Sequence, residues 1–536
     1  MHRSASKHVA RVLAICLSFS CFFGVDEAAA KNSIKGFVQT KSGPLQGAIV
    51  TAKDLDSSIE VSVFTDVLGR FEIFGLHPRT HELVAKFPGL GSGFHILPHQ
   101  QTETNSLEFM LSEDPEFQLR EPSSAWLDLL PDGDMKREFI LNCTSCHEIS
   151  HGRIFLNGSP RSSDAWFAAI KMMRGIDVYG LTPPDFDDED YSKWLAKYLS
   201  VSTFEKLVPS EGPSGKVLKA RIIEYPVPVS PCLPHDLVVG PKGKIWITAF
   251  YHDVVWSLDP ESGSFETFQV NDQEGVMGQV RALTFGPDEM LWVLLGGTES
   301  LVRLNPEDGT FKSFPLGMYP HSIEVDSKGY LWFNDYLSPS KRFGSLNPKT
   351  GALEIFEVPG KVLEPEEGLP LLYGLGVDQK DVVWGTMLAA NKLFRFDSKT
   401  KDIRLFEMPG ENTGPRRPGI GPDGSIWVPE FNTGTATRFD PETETFTRHS
   451  LGVSSLGLYD IAVDQRSGDV WAGASLGSSL IRLNPTTGAK DVYPFPTEPA
   501  YPRHIAIDPW NGDVWTTYSS MPDAVPKIVR IELGEE

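Results

Sequence analysis

Cysteine is scarce, with five in 536 residues, and two of them, Cys16 and Cys21, fall within the first 30. The remaining three, Cys143, Cys146 and Cys232, are too few and too unevenly placed for a disulfide framework. Basic residues are outnumbered, 49 Lys and Arg against 71 Asp and Glu, for a net charge of −22. No basic stripe is present to neutralise phosphates, which argues against nucleic acid as a partner. Long apolar runs are missing after Val25, so no transmembrane helix is expected in the mature chain. Cys232, close to Pro231 and Pro234, reads as a small buried apolar residue.

What is there begins with a secretory pattern. Arg3, Lys7 and Arg11 precede an apolar stretch from Val12 to Val25 and then Ala28, Ala29 and Ala30. This predicts a signal peptide over residues 1–30, cleaved after Ala30, and export to the periplasm of a Gram-negative bacterium. The length exceeds what one hydrophobic core supports, and the texture changes twice along the chain.

From 33 to 113 short alternating strands dominate: Ile34 to Val38, Ala48 to Ala52 and Val61 to Thr65, with turn signals between. Gly43-Pro44-Leu45-Gln46-Gly47-Ala48 and Thr65-Asp66-Val67-Leu68-Gly69-Arg70-Phe71 are similar to the carboxypeptidase regulatory-like domain. That resemblance implies an N-terminal β-sandwich without catalytic residues, a spacer or adhesion module.

Residues 115–202 are helical in pattern, with Met135 to Leu141, Asp164 to Ile170 and Tyr191 to Leu199 as the main segments. Between the first two stands Cys143-Thr144-Ser145-Cys146-His147. Two thiols at this spacing, followed at once by histidine, suit covalent attachment of one c-type haem with His147 as proximal iron ligand. A zinc half-site would need further ligands, and a redox dithiol would need a βαβ setting. The region resembles a small α-helical cytochrome c domain. That resemblance implies a distal methionine, Met173 or Met172, with His151 or an open site as alternatives. A Pro/Gly/Ser-containing linker over 203–217 follows.

From 218 to 536 the chain repeats. Trp246, Trp292, Trp332, Trp384, Trp427, Trp471 and Trp515 recur every 40 to 52 residues, each after a turn such as Gly421-Pro422-Asp423-Gly424. About four strands fit each period, which predicts a seven-bladed β-propeller and a mainly β protein. The strand Ala220 to Pro228 is expected to complete the last blade. Eleven residues before each tryptophan, or at the aligned position, stand His235, Arg281, His321, Tyr373, Arg416, Asp460 and His504. They should line the mouth of the central funnel and suit a small polar or anionic substrate.

The Asp-Gly-x-Ile-Trp repeats followed by Arg-Phe-Asp-Pro resemble the streptogramin (virginiamycin B) lyases. That resemblance implies a histidine acid/base, for which His321 and His504 fit, and Mg²⁺ held by carboxylates, for which Asp335 and Glu430 fit. The family's Trp-Phe-Thr-Glu is degraded here to Trp332-Phe333-Asn334-Asp335 and Trp427-Val428-Pro429-Glu430. Together these features predict a haem-coupled oxidoreductase passing electrons between a periplasmic redox partner and a molecule bound by the propeller. A Mg-dependent C–O lyase with an accessory haem, and a non-enzymatic binding scaffold, are the alternatives.

Overall fold

The computed structural model describes residues 33–99, 104–145, 147–175, 187–271, 273–360, 369–519 and 525–534. The leader pattern, residues 1–30, and Cys146 lie outside the described residues.

The first region is a β-sandwich. Ser33–Thr40 pairs with Arg70–Phe74 on one side and runs parallel to Thr104–Met110 on the other. The facing sheet holds Glu60–Phe64, Ile49–Asp54, His81–Lys86 and Gly93–Leu97. Burial alternates along Ile49–Asp54 and His81–Lys86, as it does when one face of a strand packs inward. Val50, Ala52, Leu83 and Ala85 meet Ile34, Val38 and Phe71 in the resulting core.

The propeller contains six complete four-stranded sheets. The seventh blade has three late strands, Pro502–Ile507, Val514–Tyr518 and Lys527–Glu532, and Arg221–Pro226 supplies its fourth. All seven repeat tryptophans are buried. Several anchor their own turns: the indole nitrogens of Trp332 and Trp384 each donate to an aspartate six residues earlier, Asp326 and Asp378, at 3.0 Å.

The sheet does not stop at Arg221–Pro226. That strand also pairs, antiparallel, with Glu60–Phe64 of the sandwich, so blade seven and one face of the sandwich form a single eight-stranded sheet. The sandwich is thereby fixed to the ring by backbone hydrogen bonds, where the resemblance alone implied a spacer.

Helices Ser123–Leu127, Asp134–Cys143, Ser163–Gly175 and Asp188–Tyr198 make up most of the second region. Asp187 caps the last of these, accepting from the amides of Glu189 and Asp190. These helices do not form a distinct cytochrome-like domain with its own core. Trp126, Phe139, Leu195 and Phe204 share one apolar cluster with Tyr336, Tyr373, Phe431, Tyr459 and Tyr501 of the propeller. The helical region is a layer laid on the ring, covering one mouth of its funnel. Among the described residues no helix is long and apolar enough to cross a membrane.

Candidate functional site at the propeller mouth

The innermost strand of each blade carries the same irregularity. Between Pro234 and Leu237, Val280 and Leu283, Pro320 and Ile323, Leu372 and Leu375, Leu458 and Ile461, and Pro502 and Ile505 the register shifts, so that two residues oppose one on the neighbouring strand. Such bulges re-aim side chains and recur beside functional sites. The fifth blade has an irregular stretch at the same place, between the Pro415–Glu430 bridge and Gly419. The first position of the irregularity is occupied by His235, Arg281, His321, Tyr373, Arg416, Tyr459 and Arg503. The second holds Asp236, Arg417, Asp460 and His504 among smaller residues.

The first positions interlock under the helical layer. His321 packs between the tilted rings of Tyr373 and Tyr336, with centroids 4.4 and 4.7 Å away, and its Nδ1 lies 2.9 Å from the Tyr373 carbonyl. Tyr373 donates to the Tyr459 hydroxyl at 2.5 Å. Arg416 donates to Tyr373 at 3.1 Å and to Ser145 of the helical layer at 2.8 Å. Tyr501 donates to the backbone carbonyls of Thr144 and Ser145 at 2.9 and 2.8 Å. Arg281 reaches the Tyr319 hydroxyl and the Nε2 of His235.

Deeper along the axis the charges pair. Asp236 accepts from Arg417 at 2.8 Å and contacts His235 Nδ1 at 2.7 Å. Burial opposes ionisation of Asp236, but Arg417 and the neighbouring histidines hold its carboxyl well below the usual range. Burial pushes His235 down to about 3, and Arg281 and Arg417 act in the same direction against Asp236. His321 is likewise held well below its ordinary value by burial, with Arg281 and Arg417 adding to the effect, so both imidazoles are neutral near pH 7. Tyr459 is unusual: burial raises a phenol, yet Arg503, Arg416 and Arg417 outweigh it and bring this one below its ordinary value. His504 is the more open histidine. Its Nε2 lies 3.9 Å from Asp460, and its buried Nδ1 has no hydrogen-bond partner among the described residues.

Asp335 and Glu430, read from the sequence as magnesium ligands, are directed elsewhere. Asp335 is clamped by Arg342 at 2.6 and 3.0 Å and accepts from the Tyr319 amide. Glu430 is held by Arg448, Thr433 and Thr437. Their oxygens are engaged within their own blades by groups a cation would have to displace. A cleft of about 780 Å³ lies elsewhere, between the sandwich and the last blade, and is lined by none of the funnel side chains.

Two residues of the Cys143 to His147 motif, Thr144 and Ser145, sit over the funnel, where Arg416 and Tyr501 grip them. His147 turns onto its own loop: Nδ1 is 2.7 Å from the Glu148 carbonyl, and Arg153 Nη1 lies 3.0 and 3.1 Å from the two ring nitrogens. His151 stacks on Phe155 with centroids 4.0 Å apart. Met172 and Met173 are 58 % and 39 % exposed on Ser163–Gly175.

A model of the virginiamycin B lyase family matches residues 220–528. The chain belongs to the virginiamycin B lyase family. The carboxypeptidase regulatory-like domain model matches residues 33–112. A streptogramin B lyase structure superposes with a TM-score of 0.52 at 20 % identity, covering 60 % of this chain and 100 % of that one. Virginiamycin B lyase from Staphylococcus aureus, as a selenomethionine-substituted protein, gives 0.51 at 20 % identity, covering 59 % and 99 %. A catalytically inactive histidine-to-alanine variant of that enzyme, with quinupristin, gives the same values. No curated protein matches the chain by sequence. The structural likenesses establish a lyase-like propeller fold.

These findings correct the electron-transfer reading. Among the described residues no three His, Cys, Asp or Glu side chains gather to hold a metal ion. The expected iron ligands are also not presented as such: both nitrogens of His147 meet Arg153, and the two methionines face solvent. An axial ligand has to offer a free lone pair toward the metal. As placed, His147 and Met173 or Met172 do not fit the axial ligands of the haem c expected at Cys143 and Cys146, and Asp335 and Glu430 do not fit magnesium. The haem-coupled oxidoreductase and its iron give way to a lyase-like reading.

The sequence reading missed Tyr459, Arg503, Asp236 and Arg417. The signal for the first two was the longer turn before Trp471 and Trp515. Asp464 and Asp508 each close theirs over five residues, to Asp469 and Asp513, where the earlier blades use four. Counting back from those tryptophans therefore lands one residue late, on Asp460 and His504.

Proposed function

We propose that the protein is a streptogramin-lyase-like enzyme that opens a cyclic ester by elimination at the propeller mouth. The observation carrying this reading is the Asp460–His504 pair, set in the innermost strands of a lyase-family propeller, with the His504 side chain still 28 % exposed. A general base needs an unprotonated nitrogen facing the substrate and a carboxylate orienting the ring. His504 removes a proton from the carbon next to a carbonyl. The electron pair left behind forms a carbon–carbon double bond, and the ester C–O bond breaks with its carboxylate as leaving group. His321 is neutral and its one N–H is committed to the Tyr373 carbonyl, so it shapes the funnel wall and has no proton to give a substrate. That a histidine-to-alanine change inactivates the S. aureus enzyme supports a histidine in this role.

The test is ring opening of a type B streptogramin such as quinupristin, followed by mass spectrometry. His504→Ala is expected to lower kcat about 10²- to 10⁴-fold, the usual contribution of a positioned acid/base. Turnover by His504→Ala within threefold of the unaltered protein would remove the assignment.

A further inference from the structure

We propose that Arg416 and Arg417 form an oxyanion-binding site inside the funnel, beneath the helical layer, which takes the carboxylate or phosphate group of a small ligand. The site goes beyond the lyase reading, since it holds whether or not a C–O bond is broken there.

The argument is one of incomplete pairing. Arg416 and Arg417 are 1 % and 6 % exposed, consecutive in sequence, and both inside the ring. Arg417 gives Nη1 to Asp236, which leaves its Nε and Nη2 buried with no acceptor among the described residues. Arg416 gives its two terminal nitrogens to neutral oxygens, those of Tyr373 and Ser145, and its Nε has no acceptor. Three guanidinium nitrogens, carrying four N–H bonds, are thus buried with no acceptor among the described residues. A buried donor left so bears its full desolvation cost, larger when the group is charged. Guanidinium forks match the planar or tetrahedral oxygens of carboxylates and phosphates, which accept several such donors at once.

The surroundings favour an anion over a water molecule. The guanidinium carbons of Arg416, Arg417 and Arg503 lie 4.5, 6.0 and 5.5 Å from the centroid of one ring, Tyr459. Arg416 also lies 3.9 Å from the centroid of Phe431. Cations gathered in an aromatic, desolvated pocket gain far more from a counter-charge than from a neutral dipole. Ser145, held by Arg416, closes the site from the helical side, so the bound group is small or is one end of a larger molecule.

The experiment measures thermal stabilisation and calorimetric binding of the full chain with inorganic phosphate, with succinate, and with chloride at matched ionic strength. Saturable stabilisation by phosphate, by succinate or by both, beyond that of chloride, is expected. The affinity should fall at least tenfold in Arg417→Gln and in Arg416→Lys, which keeps the charge but loses Nε. Should Arg417→Gln fail to fold, Arg416→Lys alone decides. A response to phosphate alone assigns a phosphoryl ligand, and one to succinate alone a carboxylate. No saturable response, or equal responses in the folded variants, overturns the proposal. Because binding is read without turnover, that failure leaves the test on His504 unaffected.

Discussion

Where the β-sandwich meets the propeller, backbone joins backbone: Arg221, Ile222, Ile223 and Glu224 stand opposite Val63, Ser62, Val61 and Glu60 in one ladder. Where the helical layer meets it, side chains do most of the joining. Arg416 and Tyr501 hold Thr144 and Ser145, Ser478 holds Glu148, and Ser455 donates to the Ser124 carbonyl. A ladder sets register and orientation at every residue and opens only if the sheet opens. A seam of side-chain hydrogen bonds over an aromatic floor can change occupancy without unfolding either partner. The first junction is thus suited to a permanent scaffold and the second to a site.

The ladder seam also encloses a charge cluster whose loss should have the largest effect. Glu224 is fully buried, and Lys527 reaches it at 3.2 Å and Glu60 at 2.8 Å. Burial and the neighbouring Glu60 keep the Glu224 carboxyl above its ordinary value while Lys527 opposes them. Lys527→Ala removes the cation from two carboxylates and is expected to cost about 3–5 kcal/mol in chemical denaturation. A loss below about 1 kcal/mol would mean that the ladder holds the sandwich without help from its charges.

At the other seam Glu148 provides a pH dependence. It is 1 % exposed, accepts from Ser123 and Ser478, and burial pushes it up to about 8. When the layer lifts, the carboxyl returns to its ordinary value near 4.5. As pH rises from there to about 8, the lifted state loses a proton that the docked state keeps, and docking weakens by about 1.4 kcal/mol per pH unit. Below that window both states are protonated, and above it both are ionised, so the slope vanishes on either side. Glu148→Gln should flatten the pH dependence of hydrogen exchange across Asp134–Cys143. An unchanged slope would assign it to another group.

The smallest expected effect is that of Tyr501→Phe, which deletes the donor to the Thr144 and Ser145 carbonyls. A loss of about 1 kcal/mol in the opening free energy of the layer is expected from exchange, with the sandwich unaffected. Equal loosening at both seams would collapse the distinction between them.

Much of the fold is legible in the chain because it is repeated. Each tryptophan sits in the same strand beside a turn of the same chemistry, so the period survives errors at any one copy. The site was less legible. The bulge that turns Tyr459 and Arg503 into the funnel is a backbone event without its own residue type, and one added residue in two turns shifts the count. Cys143 to His147 misled for a different reason. A five-residue motif says what a loop could ligate, while the contacts of His147 with Arg153 and Glu148, and of Ser145 with Arg416, come from partners up to 271 positions away.

Local patterning by itself determined the β-sandwich, the helices, the seven blades and the strand that closes the ring, since these depend on periodicity and turn chemistry within a few dozen residues. Only the tertiary structure decided that the sandwich continues the seventh blade, that the helices cover the funnel, and that two consecutive arginines meet there with donors to spare. Those outcomes depend on which distant surfaces share water-free space, and burial of that kind has no period along a chain.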